Sequence, residues 1–428
     1  MYNKTTLENG IRVITDTMDN VRSIAMGVLV DASPHDERPG EEGVAHLAEH
    51  LMFQGTSNRA AFEIASLMDM AGSSIGAFTS RDYTCYSATV LDDYRTYILE
   101  LLGDMILNSV FPPANLESEK KAILREIAMS MDNPYERVSS LLRTTVWGRH
   151  PLGRAVAGTP DTVQKFIRED VIYFVHENYQ PDRMIIAGAG NLIHEDFVAQ
   201  VRDSFWRLSG QKESTPCPAP TYCAGVTVEH LPVSLVYFSI GIQALPYTHP
   251  DRYALHILNS ALGNGISSRL SRRLREERGL VYNIGSEYLA YRHGGLLTIE
   301  GSAAPETVLQ VLALTLVELW RLITGDDPIV EDELLKAKMQ IHGQHLIASE
   351  DSNTRMSRLA TQELYFGRQI DADEILQQIE AIDEESIQKL CSDFLLENLA
   401  RVSIAAVGPE QPEYYSLEKI NALLEDFK

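Results

Sequence analysis

The stretch VAHLAEHLMFQGT, which begins at Val44, carries three residues of types that hold and use a cation: His46, Glu49 and His50. On a helix turning about 100° per residue, positions four apart lie about 40° from each other on one face and roughly 6 Å along the axis. Both imidazoles can therefore touch one ion. Glu49, three residues after His46, projects from the same side. In an otherwise apolar run this cluster is costly to bury unless a metal meets it.

Hydrolysis at a zinc ion needs neutral imidazole ligands, an open coordination position for water, and a base beside that water. The pattern H-x-x-E-H supplies the first and the last, with Glu49 as the unliganded carboxylate that accepts a proton. It lacks a third ligand. The stretch NLESEKKAILREIAMSMD, from Asn115, offers Glu119 and Glu126, which are 126 − 119 = 7 residues apart and so project from one helical face. Ile123, Leu124 and Ile127 crowd Glu126, and a carboxylate among apolar neighbours is expensive unless something positive meets it. The plainer alternatives are a surface helix that happens to carry two histidines, and a solvated acidic face.

The elements that must position these residues are legible in part. The chain has 428 residues, 44% hydrophobic and 23% charged, which is ordinary globular composition and enough for two or three domains. Sixty acidic against 37 basic residues give a formal charge of −23, which repels nucleic acid and anionic lipid, so neither is expected as a partner. The start, MYNKTTLENGIRVITDTMDN, alternates polar and apolar residues around an Asn9-Gly10 turn and lacks the apolar core of a signal peptide. The longest apolar run, VLQVLALTLVELW from Val308, is too short to span a bilayer and reads as a core helix. A cytoplasmic location is the expectation. Four scattered cysteines, Cys85, Cys217, Cys223 and Cys391, make no disulfide framework. Cys217 and Cys223 would be at most half of a structural zinc site.

Two segments echo each other. FVHENYQPDRMIIAGAGN from Phe174 and FLLENLARVSIAAVGPE from Phe394 share an order of apolar pair, Glu-Asn, spacer, Arg, apolar strand and Gly, closing at Gly190 and Gly408. The offset, 408 − 190 = 218, is half the chain and predicts a duplicated domain. GVAHLAEHLMFQGT aligns more weakly with YALHILNSALGNGI, placing His256 opposite His46 and Asn259 and Ser260 where Glu49 and His50 stand. The second copy has thus lost its ligands. A Pro-, Ser- and Thr-rich stretch marks a linker at 213–225 between domains 1–212 and 226–428. Within the first half, NGIRVITDTM, SIAMGVLVDASPH and TCYSATVL read as strands, GVAHLAEHLMF and the Asn115 stretch as helices. The expected architecture is α+β: two homologous sandwich domains, each a mostly antiparallel sheet with helices.

The inverted motif H-x-x-E-H, with a further glutamate 126 − 50 = 76 residues beyond the second histidine, resembles the pitrilysin and insulin-degrading family of zinc peptidases, the inverzincins. GAFTSRDYTCYSA, HPLGRAVAGT and ISSRLSRRLREERGLVYNIGS resemble that family's recurring segments in its order, so the resemblance spans nearly the whole chain. It implies one zinc ion per chain held by His46, His50 and Glu126, with Glu119 supporting the site and Glu49 as base. Family members bind extended peptide as an added strand on a sheet edge. The resemblance puts that edge in SSIGAFTSRDYT, from Ser73, at Gly76, Ala77, Phe78 and Thr79, although Gly76 replaces the family's usual Asn and removes its side-chain amide. It also implies that Arg275 steadies substrate backbone and that Tyr282 donates to the oxyanion.

The chain's length matches the family's short branch, which includes the subunits of mitochondrial processing peptidase and has two related domains. Longer members close a chamber between halves. The resemblance therefore implies that this chain forms half of a clamshell chamber, completed in a homodimer that contributes Arg275 and Tyr282 in trans. The implied activity is endopeptidase cleavage of short or unfolded peptides. Its alternatives are a dedicated leader-peptide maturation protease and a non-catalytic peptide-binding subunit of a processing complex.

Overall fold

In a computed structural model of the protein, residues 2–70, 74–211 and 218–427 are described. The first sheet contains β1 (Tyr2–Thr6), β2 (Arg12–Thr17), β3 (Ser23–Val30), β4 (Ser74–Thr79), β5 (Thr84–Leu91) and β6 (Met184–Gly190), in the order β1-β2-β6-β3-β5-β4. All pairs are antiparallel except β2 with β6. The Asn9-Gly10 turn forms as expected: Gly10 has φ +102° and Leu7 N–H donates to Ile11 O at 2.8 Å. Every residue of β6, MIIAGAG, is buried, because this strand has neighbours on both edges and helices on both faces.

The second sheet contains β7 (Val226–His230), β8 (Val236–Ala244), β9 (Ile284–Ala290), β10 (Gly295–Ala303) and β11 (Ser403–Gly408), ordered β7-β11-β8-β10-β9. Only β7 with β11 is parallel. Without β1, the first sheet has the same order strand for strand, and Gly190 and Gly408 end equivalent strands. The duplication inferred from the paired segments is thus a duplication of topology, and the fold is α+β with two related sheets.

Six helices carry or support the site and the two sheets: α1 (Val44–Leu51), α2 (Pro113–Asp132), α3 (Pro134–Trp147), α4 (Arg252–Gly263), α5 (Glu331–Ala348) and α6 (Ser352–Phe366). The chain divides into two compact units. One is Met1–Ala128 with Ala155–Cys217 and Leu346–Ile370; the other is Met129–Arg154 with Pro218–His345 and Asp371–Lys428. Helices α3 and α6 start 352 − 134 = 218 residues apart, the period of the duplication, and each belongs to the unit built mainly from the other copy. Both are capped by a side chain: Asn133 Oδ1 accepts from Tyr135 N–H at 3.1 Å, and Asp351 Oδ2 from Thr354 N–H at 2.7 Å.

On the first sheet, α6 packs Met356, Leu359 and Ala360 against Ile14, Ala25, Leu29, Ile185, Ala187 and Ala189. On the second, α3 packs Val138, Leu142 and Val146 against Leu296, Ala405 and Val407. A glycine makes room in each case: a Cβ on Gly27 would stand 2.5 Å from Met356 Sδ, and one on Gly241 3.0 Å from Leu142 Cδ2. Contiguous halves at 1–212 and 226–428 therefore differ from these units by two exchanged helices. The apolar face of a helix states that it is covered, not which of two like sheets covers it.

Residues 213–217 of the expected linker, Cys217 among them, lie outside the described residues. The remainder is no free spacer, since Tyr222 is buried and its hydroxyl donates to Gly241 O at 2.8 Å. The run from Val308 forms the helix Val308–Thr324, with Val311, Leu312, Leu316 and Leu319 buried. Among the described residues no helix is long and apolar enough to cross a membrane.

Candidate active site

Helix α1 is held at its start by groups remote in sequence. Gly43 and Ala45 N–H, two of the donors a helix N-terminus leaves free, reach Glu37 Oε1 at 3.0 and 3.2 Å. Gly43 has φ +100°, and a Cβ there would lie 2.7 Å from Ala157 O, because the segment Ala155–Gly158 presses against the entry to α1. Gly43→Ala is expected to cost about 1–3 kcal/mol through forced left-handed backbone and this clash. A thermal melt lowered by several degrees checks this; an unchanged melt would show that the helix entry tolerates a side chain.

Three side chains converge where α1 meets α2. Glu126 Oε2 lies 3.9 Å from His46 Nε2 and 3.6 Å from His50 Nε2, and the three ligand atoms all fall within 4.8 Å of one another. Ligands about 2.0–2.1 Å from a tetrahedral zinc ion stand roughly 3.3 Å apart, so the group needs only a small contraction to grip one. The imidazoles meet edge to face, 4.6 Å between centroids. Burial, followed by the neighbouring His50, pushes His46 down to about 4, which keeps it neutral and able to donate a lone pair at pH 7. Among the described residues this is the one such group of three.

The apolar crowding expected around Glu126 is not what the structure shows. Ile123 and Ile127 are buried, but they point away into the core, and the Glu126 side chain is 48% exposed beside the histidines. A helix separates adjacent positions by about 100°, so sequence neighbours need not share an environment.

Glu49 is buried on the same helix as the histidines, and its Oε2 accepts from Thr79 Oγ1 at 2.6 Å. Burial raises its pKa; the Thr79 hydroxyl and His50 pull it back, and Glu126 pushes it up again. Thr79 lies on β4, the edge strand next to α1, so hydrogen bonding joins the expected peptide edge to the expected base. Gly76, Ala77 and Phe78 occupy the same strand, with Phe78 exposed and its ring against Tyr83. Ser73, the residue before β4, lies outside the described residues.

Glu119 stands against the far side of the His50 ring. Its Oε2 is 3.0 Å from His50 Nδ1, an arrangement that turns Nε2 of the same ring toward Glu126. The two glutamates seven apart thus serve opposite sides of one imidazole. Sequence reasoning missed Gln54 and Asn115. Gln54 Nε2 donates to Glu119 Oε1 at 2.9 Å, and Asn115 Nδ2 to Gln54 Oε1 at 2.8 Å. The one signal available was position, since Gln54 follows His50 by four residues and Asn115 precedes Glu119 by four.

Arg275 and Tyr282 lie in the second unit. Arg275 belongs to a π-helical turn, Ser271–Glu276, rather than a plain helix end, and Gly279, at φ +62°, closes it with its N–H on Arg275 O at 2.9 Å. Tyr282 is 83% exposed, and the Arg275 guanidinium stands 5.8 Å from its ring centroid. On α4 the counterparts of Glu49 and His50 are uncharged: Asn259 is buried, and Ser260 Oγ donates to Gln340 Oε1 on α5 at 2.8 Å. A buried amide and a hydroxyl there replace the carboxylate and histidine of the first copy.

Residues 12–160 match the family described as Insulinase (Peptidase family M16), and residues 165–341 match Peptidase M16 inactive domain. The chain is 33% identical over 408 residues to the uncharacterized zinc protease YmxG of Bacillus subtilis, covering 95% of this chain and 99% of that protein. It is also 33% identical over 414 residues to an uncharacterized zinc protease of Streptomyces coelicolor, covering 95% and 89%. A peptidase M16 inactive domain from Pseudomonas fluorescens superposes with TM-score 0.89 at 20% identity, over 96% of this chain and 98% of that one. A protease from Helicobacter pylori does so with TM-score 0.86 at 21%, over 96% and 99%. These two solved structures share the fold, while the relatives share sequence along nearly the full length. The chain therefore belongs to the M16 peptidase family, the pitrilysin-like group, in its two-domain short branch.

Proposed function

We propose that the protein is a zinc-dependent endopeptidase that hydrolyses short or unfolded peptides. The observation that carries this reading is the convergence of His46, His50 and Glu126 beside the buried carboxylate of Glu49. The donor set suits the ion: two imidazoles, one kept neutral by burial and one turned by Glu119, and a carboxylate that offsets its charge. When bound, zinc supplies Lewis-acid polarisation of the scissile carbonyl and acidifies water. Glu49 accepts the proton of the attacking water and passes it to the leaving amine. Thr79 holds the Glu49 carboxylate from one side during that transfer.

The peptide lies along β4 as an added strand, bonded through the backbone at Gly76, Ala77, Phe78 and Thr79, so affinity carries little sequence demand. Arg275 steadies substrate backbone, and Tyr282 donates to the developing oxyanion, a contact worth about 2.7–4 kcal/mol when preorganised. In this reading both come from the second chain of a homodimer whose halves enclose the peptide in the cytoplasm.

Purified protein is expected to cleave short fluorogenic peptides, to lose cleavage to a chelator and to regain it on adding zinc. Mixing inactive Glu49→Gln and Tyr282→Phe chains should restore activity, because one site of each mixed dimer has an intact base and an intact tyrosine. No cleavage of any peptide by the zinc-loaded protein would sink the peptidase reading. No recovery after confirmed subunit exchange would show that each chain works alone.

A further inference from the structure

Asn115, Gln54, Glu119 and His50 form one hydrogen-bonded line, and its chemistry leaves a single way to place the protons. Glu119 is a carboxylate and only accepts, so the Gln54 atom 2.9 Å from its Oε1 must be the amide nitrogen. That turns the Gln54 carbonyl oxygen outward, where Asn115 Nδ2 meets it at 2.8 Å while also reaching Gln54 O at 3.3 Å. Facing the other Glu119 oxygen, His50 Nδ1 must carry its proton, and the lone pair is left on Nε2, the atom 3.6 Å from Glu126. Reversing either amide would set oxygen against oxygen.

The line also ties together the two helices that carry every proposed ligand. Gln54 sits in the turn that ends α1, with its N–H on Leu51 O at 3.1 Å, and Asn115 sits in the first turn of α2, with its N–H on Pro112 O at 3.0 Å. His46 has no comparable support: its Nδ1 is buried without a hydrogen-bond partner among the described residues. Orientation of the ligand set is therefore concentrated on the His50 side.

We propose that Gln54, backed by Asn115, is a positioning residue for the cation site. It fixes the Glu119 carboxylate so that His50 is held in one tautomer and one orientation toward the ion. This rests on the assignment of His46, His50 and Glu126 as ligands, but its readout is cation affinity, which is independent of whether any peptide is cut.

The test measures Zn2+ binding to the full-length protein by competition with a chromophoric chelator, and the visible absorption of the Co2+-substituted protein. Gln54→Leu, close in size but without the amide, should bind Zn2+ about tenfold more weakly, the lower end of the range for groups that support a metal ligand, and should shift the Co2+ bands. Gln54→Lys, whose ammonium also donates to Glu119, should stay within about threefold of wild type. Asn115→Ala should weaken binding in the same direction by less. Melting of the metal-free proteins is followed in parallel, and if Gln54→Leu does not fold, Asn115→Ala and Gln54→Lys decide. Zn2+ affinity and Co2+ spectrum unchanged in Gln54→Leu, or in Asn115→Ala where that variant decides, would overturn the proposal. So would a loss in Gln54→Lys as large as in Gln54→Leu.

Discussion

Glu49→Gln is expected to lower kcat/KM for peptide cleavage about a hundred- to ten-thousand-fold while the protein keeps its zinc. The substitution keeps the shape of the side chain and an oxygen that can still accept from the Thr79 hydroxyl, so α1 and β4 stay joined. His46, His50 and Glu126 are untouched, which preserves the ligand set. What is lost is a basic oxygen: a neutral amide cannot take a proton from water near neutral pH. Glu49 is buried, so solvent is poorly placed to replace it. Zinc stoichiometry measured beside steady-state cleavage separates this from metal loss, and undiminished cleavage with full metal content would remove Glu49 as the base.

Separated halves of the chain are expected not to fold. A fragment ending at residue 217 lacks α6, which removes Met356, Leu359 and Ala360 from the buried face of the first sheet. Burying a Leu or Met side chain is worth about 1.5–3 kcal/mol. The same cut deletes Glu363, 1% exposed and bonded to Lys4 at 2.8 Å and Arg12 at 3.3 Å, leaving two cations without that carboxylate. Together these losses rival the roughly 5–15 kcal/mol by which a typical domain is stable. The complementary fragment from 218 lacks α3 and uncovers Leu296, Ala405 and Val407. Co-expressed, however, the two pieces hold all the elements of both units, so they should assemble and co-purify. Circular dichroism melts of each piece alone and of the pair test this. A cooperative melt from 1–217 alone would mean that the exchanged helix is dispensable.

These outcomes mark where the sequence was informative. The grouping of His46, His50 and Glu126 was legible because helical periodicity puts residues four apart on one face, and because the family resemblance supplied the long step from 50 to 126. The duplication was legible because both copies keep an apolar strand closed by glycine, at Gly190 and Gly408. The exchange of α3 and α6 was not, since the apolar face of α6 carries no mark of the first sheet. Gln54 was hidden for a different reason: its spacing of four from His50 marks a shared face but names no partner, and its role exists only once Glu119 is brought beside it. Exposure of Glu126 was misjudged from its neighbours Ile123 and Ile127, which face the core from other sides of the same helix.

The exchanged helix also sets a schedule for biosynthesis. The last strand of the first sheet, β6, ends at residue 190, but the helix that covers one of its faces ends at residue 366, which is 366 − 190 = 176 residues later. At about 5–20 residues per second the ribosome needs roughly 10–35 seconds to supply it. During that interval Ile14, Leu29 and Ile185 have no native cover, so the nascent chain presents a sticky apolar surface of the kind that chaperones shield.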